Sequence, residues 1–271
     1  MSVKFGLIGG GIMGEALLSR LIVGNMYQAG EIIVSEPALE RRQDLETQYG
    51  VVTCYNNQEL LKKAKEVVLL AVKPQVFSAI SQELWELASP NCSPTIISVM
   101  AGVRLSQLER AFPGCPVIRA MPNTPATVGA GITAICPGSY ADTNSLKVAQ
   151  TLLSVVGEVV EVPENIMDAV TGLSGSGPAY VALFVEALTD GGVAVGLPRA
   201  IAYKLALQTV LGSATLLAET KIHPAQLKDK VTSPGGTTIA GVAHLENAAF
   251  RSAVIGAVKS ATERSKELGN G

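Results

Sequence analysis

Up to Pro163, short apolar runs of strand length alternate along the chain with segments whose apolar residues recur at helical spacing. Lys4-Phe5-Gly6-Leu7-Ile8 reads as a strand, and it meets a helical pattern (Ile12, Ala16, Leu17, Leu21) with no room for a loop. Glu31 to Ser35 predicts a second strand and Leu39 to Tyr49 a charged surface helix. Val51 to Thr53 reads as a short strand, with Asn57 capping a helix through Lys63. The unbroken apolar run Val67 to Val72 is that of a central parallel strand, buried on both faces. Gln75 to Leu87 returns to helical spacing, and Thr95 to Val99 and Val117 to Ala120 add strands. Gly131 to Ile135 and Glu158 to Val162 bracket a helix from Ala141 to Val156. Repeated βα units of this kind predict a doubly wound, mainly parallel sheet with right-handed crossovers.

Beyond Pro163 no strand pattern remains. Helices are expected from Glu164 to Thr171, Pro178 to Val195, Pro198 to Thr220, Ala225 to Val231, Thr238 to Glu246 and Ala248 to Leu268. The Pro178 segment is apolar nearly all round, through Ala182, Leu183, Val185, Leu188 and Val193. A helix of that kind needs cover on every side. In so small a domain the cover is expected from a partner subunit, as an interdigitated helical homodimer.

Composition strengthens that expectation. Hydrophobic residues make up 48% of the 271 and charged residues 16%. Such a chain carries more apolar surface than one small core requires. The net charge of -2 and the lack of a basic run argue against nucleic acid or an anionic membrane as partner. The longest apolar stretch, Ala179 to Leu197, is interrupted by Glu186, Asp190 and glycines, which makes it a poor membrane span. Cys54, Cys92, Cys115 and Cys136 show no paired spacing, so reduced thiols in a cytoplasmic protein are expected. With a strand pattern opening at once, no signal peptide is expected. His223 and His244, far apart among scattered carboxylates, do not make a metal site.

The chemistry begins in the first turn. Gly9, Gly11 and Gly14 stand at the spacing Gly-x-Gly-x-x-Gly between a strand and a helix. The first allows the tight turn, the second lets backbone approach a pyrophosphate at the helix N-terminus, and the third lets helix and strand pack closely. The fold expected is therefore α/β: an N-terminal Rossmann-type doubly wound parallel sheet over residues 1–163, then an all-α C-terminal dimerisation domain over residues 164–271. At the end of the second strand, Glu36 argues for NADH, because an acidic residue there bonds ribose hydroxyls. Ser35, Arg41 and Arg42 leave NADPH open, although both arginines also suit plain solvation of a surface helix. Lys73, in Ala71-Val72-Lys73-Pro74, is either a coenzyme contact or a loop cation. Arg119 to Pro125 suits a rigid loop under the nicotinamide, and equally a structural turn.

Two stretches of the second half carry more. Gly172-Leu173-Ser174-Gly175-Ser176-Gly177-Pro178 fails the Gly-x-Ser-x-Gly spacing of a nucleophile elbow at both serines, so it reads as close helix packing. In Thr232-Ser233-Pro234-Gly235-Gly236-Thr237-Thr238, Gly235, Gly236 and Thr237 can turn consecutive N–H groups toward one point, a nest for a carboxylate at a helix N-terminus.

Taken together, Gly9-x-Gly11-x-x-Gly14, Ala71 to Pro74, Met121-Pro122-Asn123-Thr124-Pro125, Gly172 to Pro178 and Thr232 to Thr238 resemble the pyrroline-5-carboxylate reductase family along the whole chain. The resemblance implies the last step of proline biosynthesis, in which NADPH or NADH reduces the imine of 1-pyrroline-5-carboxylate to L-proline. It implies a dimer built on the helical domain and often a ring of dimers. It places coenzyme contacts on Ile8, Gly9, Gly10, Gly11, Ile12, Met13, Gly14, Ser35, Glu36, Asn57, Ala71, Val72, Lys73, Pro74, Met100 and Ala101. Substrate contacts fall on Glu164, Ser233, Gly236, Thr237 and Thr238, with the Thr238 hydroxyl expected at the ring nitrogen in catalysis. The family resembled more often uses NADPH and carries a smaller residue at this position, so Glu36 is the departure that bears on coenzyme preference. A β-hydroxyacid dehydrogenase or a related imine reductase would share the two-domain plan, but the dehydrogenases resemble Gly-x-x-Gly-x-Gly-x-x-x-Lys, and their lysine position holds Val181. A dinucleotide-binding sensor that lost the reaction is the rival outside enzymes, and the complete Ser-Pro-Gly-Gly-Thr-Thr loop argues against it.

Overall fold

A computed structural model describes residues 2–85 and 94–269. Eight strands form one sheet in the order β3-β2-β1-β4-β5-β6-β7-β8. They are β1 (Phe5–Ile8), β2 (Ile32–Ser35), β3 (Val52–Cys54), β4 (Val67–Leu70), β5 (Thr95–Ser98), β6 (Val117–Met121), β7 (Gly131–Pro137) and β8 (Gly157–Glu161). The first six run parallel; β7 is antiparallel to β6 and carries β8 parallel to itself. Helices α1 (Ile12–Val23), α2 (Leu39–Tyr49), α3 (Asn57–Lys63), α4 (Phe77–Trp85), α5 (Leu105–Ala111) and α6 (Thr143–Leu153) connect them. Both faces are covered, and alternate strand residues divide between two cores. Ile8, Val68, Leu70 and Ile96 join Leu60, Ile80 and Leu84 on one side. Leu7, Val67, Leu69 and Ile97 join Leu17, Leu18 and Leu21 on the other. That two-sided burial is why the β4 run is apolar without alternation.

Several boundaries differ from expectation for local reasons. Asn56, not Asn57, caps α3: its side-chain oxygen accepts the N–H groups of Gln58 and Glu59 at 2.7 and 3.2 Å. Asn57 is the first helical residue. The helix expected over Gln75 to Leu87 opens with a 3-10 turn, Pro74–Val76, before α4, and Leu87 lies outside the described residues. The segment expected as one helix from Glu164 divides into a 3-10 turn (Glu164–Ile166), α7 (Met167–Val170) and a π-turn (Thr171–Gly175). Cys115 is disulfide-bonded, against the expectation of reduced thiols throughout. Cys54 and Cys136 are free and buried, and Cys92 lies outside the described residues.

The remaining helices are α8 (Gly177–Ala194), α9 (Arg199–Thr220), α10 (Pro224–Lys230), α11 (Thr237–Asn247) and α12 (Phe250–Gly269). By packing, one compact unit takes residues 1–175 and 261–271, and the other takes 176–260. The first unit thus includes 164–175 and the end of α12, which the sequence pattern grouped with the helices. Polar ties account for it: Ser265 donates its hydroxyl to Asp168 at 2.6 Å, and Glu164 is bound to Arg119. In the second unit α8 and α9 pack on one another through Gly192, Ala202 and Ala206, where small residues let the backbones approach. The Tyr180 hydroxyl donates to the Ala257 carbonyl, and Phe184 packs on Phe250 with ring centroids 5.9 Å apart. Val181, Leu183, Ile201, Leu205 and Leu211 remain at least half exposed within the single chain. Among the described residues, α9 alone is long and apolar enough to cross a membrane by length and composition.

Gly157 shows how tightly the sheet's last pair is closed. Its φ is +142°, a region L side chains rarely enter, and a β-carbon there would collide with the Gly131 backbone of β7. Gly157→Ala should therefore cost about 2–4 kcal/mol. The expected result is a melting temperature lowered by several degrees at fixed protein concentration, and an unchanged melt would contradict the packing described.

Candidate functional site

The strand order reverses direction of growth between β1 and β4, and the carboxyl ends of those strands face the crevice where ligands of such sheets bind. Gly9 follows β1 with φ +102°, its N–H donating to the Ser35 carbonyl at 2.9 Å. A β-carbon on Gly9 would press on the Ala71 carbonyl at 2.7 Å, and one on Gly14 would collide with the Gly9 carbonyl. Gly11 is different: nothing lies within 4 Å of a β-carbon placed there, and it is the N-cap of α1 with no side chain to occupy the cap. The first bond of the helix runs from Glu15 N–H to Gly11 O at 2.8 Å, so the N–H groups of Ile12, Met13 and Gly14 have no acceptor within α1. Open backbone at Gly11 before a positive helix end is a cradle that fits a dinucleotide's pyrophosphate.

Around this turn lie the other residues expected at the coenzyme. Glu36 Oε2 accepts the Gly10 N–H at 3.0 Å. The arginines do more than solvate a helix: Arg41 donates to the Gly10 carbonyl at 2.8 Å and pairs with Glu15, and Arg42 donates to the Glu36 carbonyl at 2.7 Å. The Ser35 hydroxyl donates to Asn57 Oδ1 at 2.6 Å, and Asn57 Nδ2 donates to Glu83 at 2.8 Å. Asn57 therefore stands beside the end of β2, though as a bridge and not as a cap. Burial raises the Cys54 thiol above its ordinary range, keeping it protonated beside this network. Ala71, Val72 and exposed Lys73 leave the end of β4, and Pro74 opens the turn that follows. Met100 is buried after β5 and Ala101 is exposed.

Glu164 has a task inside this unit. Its Oε1 accepts the Leu105 N–H at 2.7 Å, closing the start of α5, and pairs with the buried Arg119 guanidinium at 3.0 Å. Arg119 and α5 carried no local signal of this, because their partner is 45 and 59 residues away in sequence. Cys136, near the pair, has its thiol pushed up by burial first and by Glu164 second.

The second unit holds the other loop. The Gly236 N–H donates to the Ser233 carbonyl at 3.1 Å, with Pro234 and Gly235 between them and Gly235 at φ +67°. Proline then positive-φ glycine is the signature of a type II turn. The expected nest is corrected at Gly236, whose N–H closes this turn. Gly236 is instead the N-cap of α11, and the N–H groups left without helical acceptors are those of Thr237, Thr238 and Ile239. Ser233 and Thr237 are exposed, and Thr238 is half-buried. Glycine at 236 leaves the Ser233 hydroxyl where a β-carbon would stand.

A dinucleotide cradle on a doubly wound sheet, followed by a helical unit with exposed apolar side chains, is the plan of a two-part dinucleotide-binding protein. The pyrroline-5-carboxylate reductase dimerisation model matches residues 164–268, and the model for NADP oxidoreductase, coenzyme F420-dependent, matches residues 4–102. A pyrroline-5-carboxylate reductase of Synechocystis is 59% identical, with 99% of each chain covered. Among solved structures, a pyrroline-5-carboxylate reductase from Coxiella burnetii is 34% identical with a TM-score of 0.91 over 99% of each chain. A Plasmodium falciparum pyrroline carboxylate reductase with NADP bound is 30% identical with a TM-score of 0.88 over 98% of each chain. The chain belongs to the pyrroline-5-carboxylate reductase family. It is an NAD(P)H-dependent oxidoreductase that carries a dimerisation domain and associates with copies of itself.

The two glycines of the turn separate binding from folding. Gly11→Ala should keep the parent melting temperature and weaken dinucleotide binding by about tenfold or more, since its methyl group enters the open cradle. Gly14→Ala should instead melt several degrees lower, because its methyl group meets the Gly9 carbonyl. Calorimetric binding alongside thermal melts distinguishes them, and equal melting losses in both would refute the assignment.

Proposed function

We propose that this chain reduces the C=N bond of 1-pyrroline-5-carboxylate with NADPH or NADH, giving L-proline in the last step of proline biosynthesis. The observation that carries the reading is the Ser233–Gly236 type II turn, which presents the start of α11 with its threonines beside open N–H groups. Reduced nicotinamide, when bound, supplies the hydride. A protonated imine is already a strong electrophile, so the protein's work is to hold the substrate, orient it and exclude water. The Thr237 and Thr238 N–H groups, with the α11 dipole behind them, bind the carboxylate, helped by the Ser233 hydroxyl and the glycine at 236. The Thr238 hydroxyl bonds the ring nitrogen, and Glu164 is assigned an acidic contact to the substrate. Coenzyme contacts are assigned to Ile8 through Gly14, Ser35, Glu36, Asn57, Ala71 through Pro74, Met100 and Ala101. By function, residues 1–163 form the coenzyme domain and 164–271 the substrate and dimerisation domain.

The exposed apolar side chains of α8 and α9 are assigned to a homodimer interface, and further association to a ring of dimers. A second copy, and not a bilayer, covers α9 in this reading, because its whole length falls among residues matched by the dimerisation model. The protein is placed in the cytoplasm, with no nucleic-acid partner, in keeping with its small net charge.

Loss of reduced-nicotinamide absorbance on adding pyrroline-5-carboxylate tests the activity, and no loss with either coenzyme would reject it. Thr238→Ala should lose about 1–3 kcal/mol of transition-state stabilisation, roughly 5- to 150-fold in kcat/KM. An unchanged kcat/KM would remove the hydroxyl from the mechanism.

A further inference from the structure

The end of β2 carries a carboxylate fixed from two sides. Glu36 Oε2 accepts the Gly10 N–H at 3.0 Å, and Oε1 accepts the Ala38 N–H at 3.1 Å. An ionised carboxylate offers about four acceptor positions, so two bonds to backbone leave capacity for two more donors. The vicinal hydroxyls of a ribose are such a pair.

The arginines that follow in sequence are bound into the same turn. Arg41 donates through Nε to the Gly10 carbonyl at 2.8 Å, and its Nη2 pairs with Glu15. Glu15 also accepts the Tyr49 hydroxyl at 3.0 Å. Arg42 donates through Nη1 to the carbonyls of Glu36 and Pro37, at 2.7 and 2.9 Å. Its guanidinium carbon stands 5.7 Å from the Tyr55 ring centroid. The Gly10 peptide is thus gripped at its N–H by Glu36 and at its C=O by Arg41. Nε and Nη2 of Arg41 and Nη1 of Arg42 are thus committed to the turn and to Glu15, which fixes where both guanidinium groups lie.

We propose that Glu36 determines coenzyme choice, selecting NADH over NADPH by accepting the adenosine ribose hydroxyls and repelling a 2′-phosphate. The proposal rests on reading the chain as a nicotinamide-dependent reductase. A 2′-phosphate brings between one and two negative charges against a carboxylate that two backbone N–H groups hold in place, and like charges set together are strongly disfavoured. Arg42 is then a brace of the turn and not a phosphate ligand.

Calorimetric titration of the full-length protein with NADH and with NADPH, without imine, tests it. The expected result is binding of NADH at least about tenfold tighter than NADPH. In Glu36→Gln, which keeps an acceptor for one backbone N–H but loses the charge, the ratio should shift toward NADPH by about tenfold. In Arg42→Ala the two affinities should change by the same factor. Equal or tighter binding of NADPH by the parent protein, an unshifted ratio in Glu36→Gln, or a loss confined to NADPH in Arg42→Ala would each overturn the proposal. Binding of neither coenzyme would overturn the reductase reading itself, an outcome separable from a preference for NADPH.

Discussion

Between Ile8 and Ile12 the chain passes from strand to helix through three glycines, and the passage closes because no β-carbon stands where backbone meets backbone. Gly9 takes a positive φ and lies against Ala71, and Gly14 lies against the Gly9 carbonyl. The rest of the carboxyl edge is registered from this turn. The Gly9 N–H ties it to β2 at Ser35, and the Ala71 N–H, bonded to the Ile8 carbonyl, ties it to β4. Only then do Glu36 and Arg41 reach the two ends of the Gly10 peptide. A side chain at position 9 or 14 would move α1 off the sheet and carry the anion cradle with it.

Much of this was legible because it is local. Strand-length apolar runs and helical spacing located all eight strands, and the Gly-x-Gly-x-x-Gly spacing located the cradle. What was not legible depends on partners far away in sequence. The start of α5 was missed: Arg104, its N-cap, makes no side-chain cap bond, and the carboxylate that accepts the Leu105 N–H is Glu164, far away in sequence. Nothing in the β7 segment distinguishes antiparallel from parallel pairing, because its alternation is the same either way. Asn57 was expected to cap α3, but the side chain of Asn56 accepts the first N–H groups and Asn57 is the first helical residue. The Ser-Pro-Gly-Gly stretch was read correctly as a tight loop, but proline and glycine there build a hydrogen-bonded turn that takes up one N–H of the expected nest.

The helical unit shows the opposite economy of side chains. Its own interior is small, with Val185, Thr189, Ala202 and Ala206 among the few buried positions. In the proposed dimer, helices apolar on more than one face take their remaining cover from another copy, which would tie the stability of this unit to protomer concentration in a way that the sheet's two-sided core is not. Small residues on α8 and α9 serve backbone approach within the chain, whereas the larger aliphatic ones point elsewhere.

The last helix belongs to both units: α12 begins in the second, and its final residues pack in the first, where Ser265 meets Asp168. On a ribosome this sets an order of events. Residues 176–260 must be made before the first unit receives its closing piece. At about 5–20 residues per second that interval is roughly 4–17 s, long compared with the time in which an α/β sheet of this kind collapses. The nascent sheet therefore waits without the Ser265 partner of Asp168 while the helices emerge, and the unit that is begun first is the one completed last.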